Sequence, residues 1–322
     1  MRNSIVAILF LATIFCVTAC RQRVAKDDTT SVASAAEHNE VTRIRKFIPA
    51  LPPSTLNPEE HRAYMIDHYW DKFDFSDTLF IAEVDTSHMA TAFAIYATGY
   101  VPDSLAHSAM SRLMQKASAS RKMFDYFMML SEVVLHDPNS PLRNDEKYIP
   151  VLEAAVKSPF YDEYERMPYE FDLNVAMQNR VGHRANDFTY TLASERSARM
   201  YSVKADYLLI FISNPGCPMC RDIREQLVAS PMLNELSERG KFKVLVIYPD
   251  KDLTAWREHL SDYPASWING YDKGCHIERE NLYNVSAIPA LYLLDKEKIV
   301  LVKDSTNVEE IEFVLAQITG KE

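Results

Sequence analysis

The stretch Tyr207-Leu208-Leu209-Ile210-Phe211-Ile212-Ser213-Asn214-Pro215-Gly216-Cys217-Pro218-Met219-Cys220 decides the reading of this chain. Its first half is an uninterrupted apolar run, the pattern of a strand buried on both faces of a sheet. Its last four residues are a CxxC pair. Pro218 suits the first helical position, because its φ is already helical and its missing N–H has no role there. The spacing of three puts both sulfurs on one side of that helix, within reach of a disulfide. Cys217 then stands at the helix N-terminus, where free amide N–H groups and the dipole stabilise a thiolate. Cys217 is therefore the expected attacking nucleophile, and Cys220 the thiol that closes on a mixed disulfide.

Outward from this unit the same pattern repeats. Residues 243–248, with Val-Leu-Val-Ile at their centre, form a second buried strand, and 290–294 and 299–303 two more, joined across the polar turn Asp295-Lys296-Glu297-Lys298. Helical segments are expected over Pro218 to Ala229, 254–260 and 308–318. Strands alternating with helices point to an α/β sheet with crossover connections.

Upstream the period changes. Ile66, Tyr69, Trp70 and Phe73, then Ala106, Met110, Leu113 and Ala117, then Met123, Phe127, Leu130 and Val134 each trace one face of an amphipathic helix. Breaks or a kink are expected at Pro102, across 137–141 and near Pro168. Of only 7 glycines, Gly99 alone precedes Gly182, which agrees with a helical first half and a turn-bearing second one. His61, His68 and His136 show no metal-ligand spacing and are expected to be packing or surface residues. The Met123, Met128 and Met129 group reads as core filler.

At 322 residues the chain has room for two domains. With 47% hydrophobic and 25% charged residues it is neither disordered nor collagen-like. A net charge of −10 argues against nucleic acid as a partner. Five cysteines are too few for a disulfide scaffold. Arg2 followed by an apolar run over 5–15 reads as a secretory signal, too short to span a bilayer comfortably. Its end, Val17-Thr18-Ala19-Cys20, resembles the bacterial lipoprotein box, which implies cleavage and a lipid anchor on Cys20. Residues 21–56, polar at first and then punctuated by Pro49, Pro52 and Pro53, read as a flexible tether.

The strand, Gly-Cys-Pro-Met-Cys and helix arrangement resembles the thioredoxin superfamily. Two further stretches carry the likeness. Ser286-Ala287-Ile288-Pro289-Ala290-Leu291-Tyr292 is similar to the cis-proline loop that faces the thiols in that fold. Gly182-His183-Arg184-Ala185-Asn186-Asp187-Phe188, followed by Thr189-Tyr190-Thr191, resembles the opening β-hairpin of exported TlpA-like and peroxiredoxin-like members. The resemblance implies an α/β thioredoxin-like domain over 179–322, with a central mixed sheet, flanking helices and an N-terminal hairpin extension. An all-α domain over 57–178 precedes it, similar to an uncharacterised N-terminal domain of Bacteroidetes lipoproteins. The resemblance also implies substrate binding along the backbone at Ile288 and Pro289, with Gly216, Pro218 and Met219 supporting the motif. In two places the chain departs from the family. Gly216 stands where a tryptophan is usual, and the buried carboxylate that assists resolution in many members has no evident counterpart.

The expected function is an extracytoplasmic thiol-disulfide oxidoreductase, lipid-anchored in the cell envelope on a periplasmic or outer-membrane face. Its only redox group is the Cys217/Cys220 pair, with no metal or other cofactor. Its partners are exported cysteine-containing proteins and a membrane electron donor or acceptor. Three alternatives remain open at this level. The chain is a lipid-anchored binding or scaffold protein with a structural CxxC, a thiol peroxidase, or a holder of a zinc ion completed by Cys275-His276. Against the peroxidase, the PxxxTxxC pattern is absent before Cys217. Once Cys16 leaves with the signal and Cys20 takes lipid, Cys275 is the odd thiol, either a buried residue or a third redox group.

Overall fold

The computed structural model describes residues 45–320, so Cys20, the signal segment and most of the expected tether lie outside the described residues. The helical half contains α1 (Pro58–His68), α2 (Phe80–Glu83), α3 (Thr86–Ala94), α4 (Asp103–Ala117), α5 (Arg121–Leu135), α6 (Asp145–Val156) and α7 (Glu163–Ala176). Side-chain caps start most of them. Asn57 and Asp162 form capping boxes with Glu60 and Glu165, and Asp85, Ser120 and Asn144 accept first-turn N–H groups. All twelve periodic residues named above are buried in one core. Tyr69, Trp70 and Phe73 lie beyond α1, so that face continues through a turn rather than through the helix.

Two expectations are corrected in this half. Residues 45–50 pack on the helical half rather than belonging to a tether. Phe47 is only 4% exposed and stacks on Trp70 at 4.8 Å between ring centres, and Ala50 is buried. A single aromatic in a stretch without periodicity gives no local signal of its burial. Replacing Phe47 with alanine is expected to cost about 3–5 kcal/mol, read as a lower urea midpoint; an unchanged midpoint would place this segment outside the cooperative core. No loop forms at Pro168 either, for α7 runs through it, as α6 runs through Pro150. A proline removes one amide donor from the helix, and here the capping box and neighbouring turns hold the remainder.

The second half has β1 (Thr189–Leu192), β2 (Ser197–Arg199), β3 (Tyr207–Ile212), α8 (Pro218–Ala229), α9 (Pro231–Glu238), β4 (Phe242–Tyr248), α10 (Leu253–Glu258), β5 (Ile268–Tyr271), α11 (His276–Arg279), β6 (Ala290–Asp295), β7 (Val300–Ser305) and α12 (Val308–Thr319). These strands form one mixed sheet in the order β2-β1-β5-β4-β3-β6-β7. β3 is central, parallel to β4 and antiparallel to β6. Its apolar run divides by alternation. Leu208, Ile210 and Ile212 face one core with Ile277 and Tyr283; Leu209 and Phe211 face the other with Ile223, Leu236 and Leu315. Both faces are covered, which is why the run has no polar interruption. The hairpin β1–β2 and the turn between β6 and β7 appear as expected. The sequence reading left out α9, α11 and β5. In β5, Gly270 is needed for packing, since a Cβ there would stand 2.7 Å from the Tyr190 ring and 3.2 Å from the Thr191 carbonyl.

The two halves meet along β7, an edge strand. Gly182 and His183 exchange backbone bonds with Val300, which covers the beginning of that edge. Farther along, the Lys303 ammonium reaches Asp145 of α6 at 2.6 Å and donates to the Ala176 carbonyl at the end of α7. Burial pulls Lys303 below its ordinary value, while Asp145 acts in the opposite direction. Arg180 forms a two-pronged pair with Glu146 of α6, its Nε at 2.9 Å. The helical half is thus docked by ion pairs whose partners are largely removed from water.

Candidate active site

The site is built at the C-terminal end of β3, where the strand gives way to α8. Gly216 makes the turn with φ +76, and a Cβ there would meet nothing within 4 Å, so the backbone angle rather than space favours glycine. Cys217 is the N-cap of α8, with Pro218 in the first turn. The Cys217 sulfur accepts the Cys220 N–H at 3.3 Å and lies 4.0 Å from the Ile288 carbonyl, to which its S–H donates. It is half-buried, while Met219 beside it is 55% exposed. Ile288-Pro289 is a cis peptide bond, so the loop named from sequence faces the thiols across this contact. Pro289 is buried and Ile288 half-buried.

Cys220 lies below, 3% exposed, packed with Leu209, Phe211 and Ile223. Its sulfur accepts the Asn214 N–H at 3.5 Å. Burial, with Cys217 acting in the same direction, pushes the Cys220 thiol up to about 12 against the downward pull of the Asn214 N–H and the Ser213 hydroxyl. Ser213 is buried and its Oγ lies 2.7 Å from the Tyr263 hydroxyl. Tyr263 is in turn covered by the Arg224 guanidinium, 5.4 Å from its ring centre, and burial raises this phenol as well. Among the described residues, the groups set against Cys220 are therefore hydroxyls and an amide rather than a carboxylate. One half-buried and one buried thiol, both unbonded, form a dithiol whose outer sulfur is reachable by a substrate and whose inner sulfur is not.

A crystal structure of a thioredoxin-like protein from Bacteroides caccae is 40% identical to this chain, covering 84% of this chain and 99% of that one, with a TM-score of 0.80. This chain belongs to the same thioredoxin-like family. Within it, residues 205–300 match a family described as thioredoxin-like, and residues 19–179 match a domain of unknown function, DUF5106. The C-terminal domain of an uncharacterized Bacteroides fragilis protein is 48% identical over 43% of this chain and 98% of its own, with a TM-score of 0.42. Nucleoredoxin of Xenopus laevis is 24% identical over 111 residues, 34% of this chain. The chain spans about a quarter, 26%, of the length of that curated relative.

In this thioredoxin-like chain Cys275 stands apart from the dithiol, sharing with it only the neighbours Asn214 and Ile288. It lines a cleft of about 260 Å³ with Asn214, Lys251, Glu278 and Ile288. Its backbone is left-handed, φ +53, it is buried, and burial raises its thiol. His276 beside it pairs instead with Glu280 at 2.8 Å. Among the described residues no group of three or more His, Cys, Asp or Glu is gathered around a common point. His68 pairs with Asp71, and His136 stacks on Tyr148. Sequence reasoning missed Ser213, Asn214 and Tyr263. Ser213 and Asn214 sit inside the quoted stretch and were open to notice as the polar end of β3, whereas Tyr263 carries no local signal.

Proposed function

We propose that the chain is an envelope thiol-disulfide oxidoreductase, held at the membrane through lipid on Cys20. The observation that carries this reading is Cys217 at the N-cap of α8, its sulfur facing the Ile288 carbonyl, with Cys220 sealed beneath it. In the first step the Cys217 thiolate attacks one sulfur of a substrate disulfide. A Cys217–substrate disulfide forms, and the other substrate sulfur leaves as a thiolate that takes up a proton. In the second step Cys220 loses its proton and attacks the Cys217 sulfur. The mixed disulfide breaks, the second substrate thiol leaves, and Cys217 and Cys220 are oxidised together. Two electrons have then passed to the substrate, and an external dithiol restores the pair.

The Ile288 carbonyl opposite the nucleophile and the exposed Met219 beside it support this reading by offering a polar and an apolar contact to a substrate chain. The substrates are exported proteins with cysteine pairs. The test is capture with Cys220→Ser, whose remaining thiol forms the mixed disulfide but lacks its resolving partner. Reductant-sensitive adducts with envelope proteins, absent from the Cys217→Ser/Cys220→Ser variant, are expected. An adduct pattern identical in both variants would overturn the reading and leave a binding protein with a structural CxxC.

A further inference from the structure

Resting on that reading, we propose that Arg143 of the helical half is a positioning residue for the substrate-binding loop, acting through Asp304 and Asn284. Arg143 lies between α5 and α6, and its guanidinium pairs with the Asp304 carboxylate on β7. Both side chains are removed from solvent, with 16% and 5% exposure. The same oxygen of Asp304 accepts the Asn284 amide N–H at 2.8 Å. Asn284 then turns the chain toward the site: its Oδ1 accepts the Ser286 N–H at 3.1 Å and the Ser286 hydroxyl at 2.6 Å. Its own N–H donates to the hydroxyl of the buried Tyr292 at 3.3 Å. Two residues beyond Ser286 is Ile288, whose carbonyl meets the Cys217 sulfur. A series of polar contacts therefore runs from the helical half to Ser286, and two residues of backbone join it to the carbonyl opposite the nucleophile.

The local backbone points the same way. Asp304 sits at φ +50, a left-handed conformation that aspartate adopts more readily than most non-glycine residues and that sets the direction of its side chain. Its carboxylate serves two donors from two different segments, so its orientation is set by both. Without Arg143 a buried carboxylate loses its counter-charge, and the remaining partner is the amide that begins the loop. The pull then acts on Asn284 and on the turn to Ser286. This gives the helical half a task in the chemistry: it braces the surface that a protein substrate must pair with, without touching the thiols.

The test separates a protein disulfide, which needs the loop, from a small disulfide, which needs only the thiolate. For Arg143→Met the KM for insulin is expected to rise at least fivefold. Its kcat and its rate constant with dithiobis(nitrobenzoate) stay within twofold of wild type, and the Ser286 and Ile288 amide resonances shift. Arg143→Lys is expected to recover most of the KM. An unchanged KM with unmoved amide resonances overturns the proposal, as does an equal loss toward both disulfides. Should Arg143→Met fail to fold, the isosteric Asp304→Asn variant carries the same expectations. A wild-type protein inert toward both disulfides would refute the oxidoreductase reading, while the amide resonances would still decide whether Arg143 sets the loop.

Discussion

Cys217→Ser is expected to lower insulin reduction at least about 1,000-fold, because the reaction loses its nucleophile rather than a contributor to its environment. The substitution is well suited to separate chemistry from folding. Cys217 is the N-cap of α8 and accepts the Cys220 N–H. Serine is among the preferred N-cap residues, and its oxygen accepts the same bond. The thermal midpoint is therefore expected to stay within a few degrees of wild type while turnover disappears. Serine remains protonated at neutral pH and attacks sulfur poorly, so no partial rate is expected. Retained turnover in this variant would remove Cys217 from the reaction and with it the proposed function.

The resolving step is expected to accelerate with pH, about tenfold per unit between pH 7 and 9. Burial, the largest influence, raises the Cys220 thiol to about 12 and thereby favours its protonated form. Near neutrality only about one molecule in 10⁵ carries the Cys220 thiolate if no base assists. Each unit of pH then multiplies the reactive fraction tenfold. Single-turnover release from a preformed Cys217 mixed disulfide measures this directly; a rate independent of pH would show that a proton acceptor already serves Cys220. Ser213→Ala removes one of the two groups that pull Cys220 down, and is expected to slow release by about 2- to 10-fold, the worth of one hydrogen bond. Stability follows the same sign. A thiol raised from near 9 to about 12 contributes fully below pH 9 and loses that contribution as pH climbs through 12. The reduced protein should therefore lose thermal stability relative to the oxidised protein across that window, since a disulfide has no such proton.

Much of the candidate site was legible because its parts are close in sequence. A buried strand, a cysteine at a helix start and a first-turn proline all occur within Tyr207–Cys220, and each follows from backbone preference or a spacing of three, whereas the left-handed angle of Gly216 came from the structure. The Ile288-Pro289 loop lies farther along, and it was found only because its residues resemble a familiar pattern. Phe47 was misplaced for the converse reason: one buried aromatic in the proline-broken run Phe47-Ile48-Pro49-Ala50-Leu51-Pro52 has no period to reveal it. The short β5 was missed because Ile268-Asn269-Gly270-Tyr271 lacks the branched, alternating character of a strand, and its glycine answers to the Tyr190 ring on a neighbouring strand.

By itself, then, the sequence determined the two-part architecture and the dithiol unit with Cys217 at the start of its helix. Those features rest on hydrophobic period, helix-end chemistry and short spacing, all of which act over a few residues. Only the tertiary structure decided what stands behind and beside the thiols. Tyr263 meets Ser213 across 50 residues of chain, and Arg143 meets Asp304 across 161. Neither contact follows from local preference, because it exists only once the sheet has assembled and the helical half has docked on β7. The physical reason is the separation itself: a buried polar group takes whichever partner the packed core brings within hydrogen-bonding distance, and that choice belongs to the whole fold.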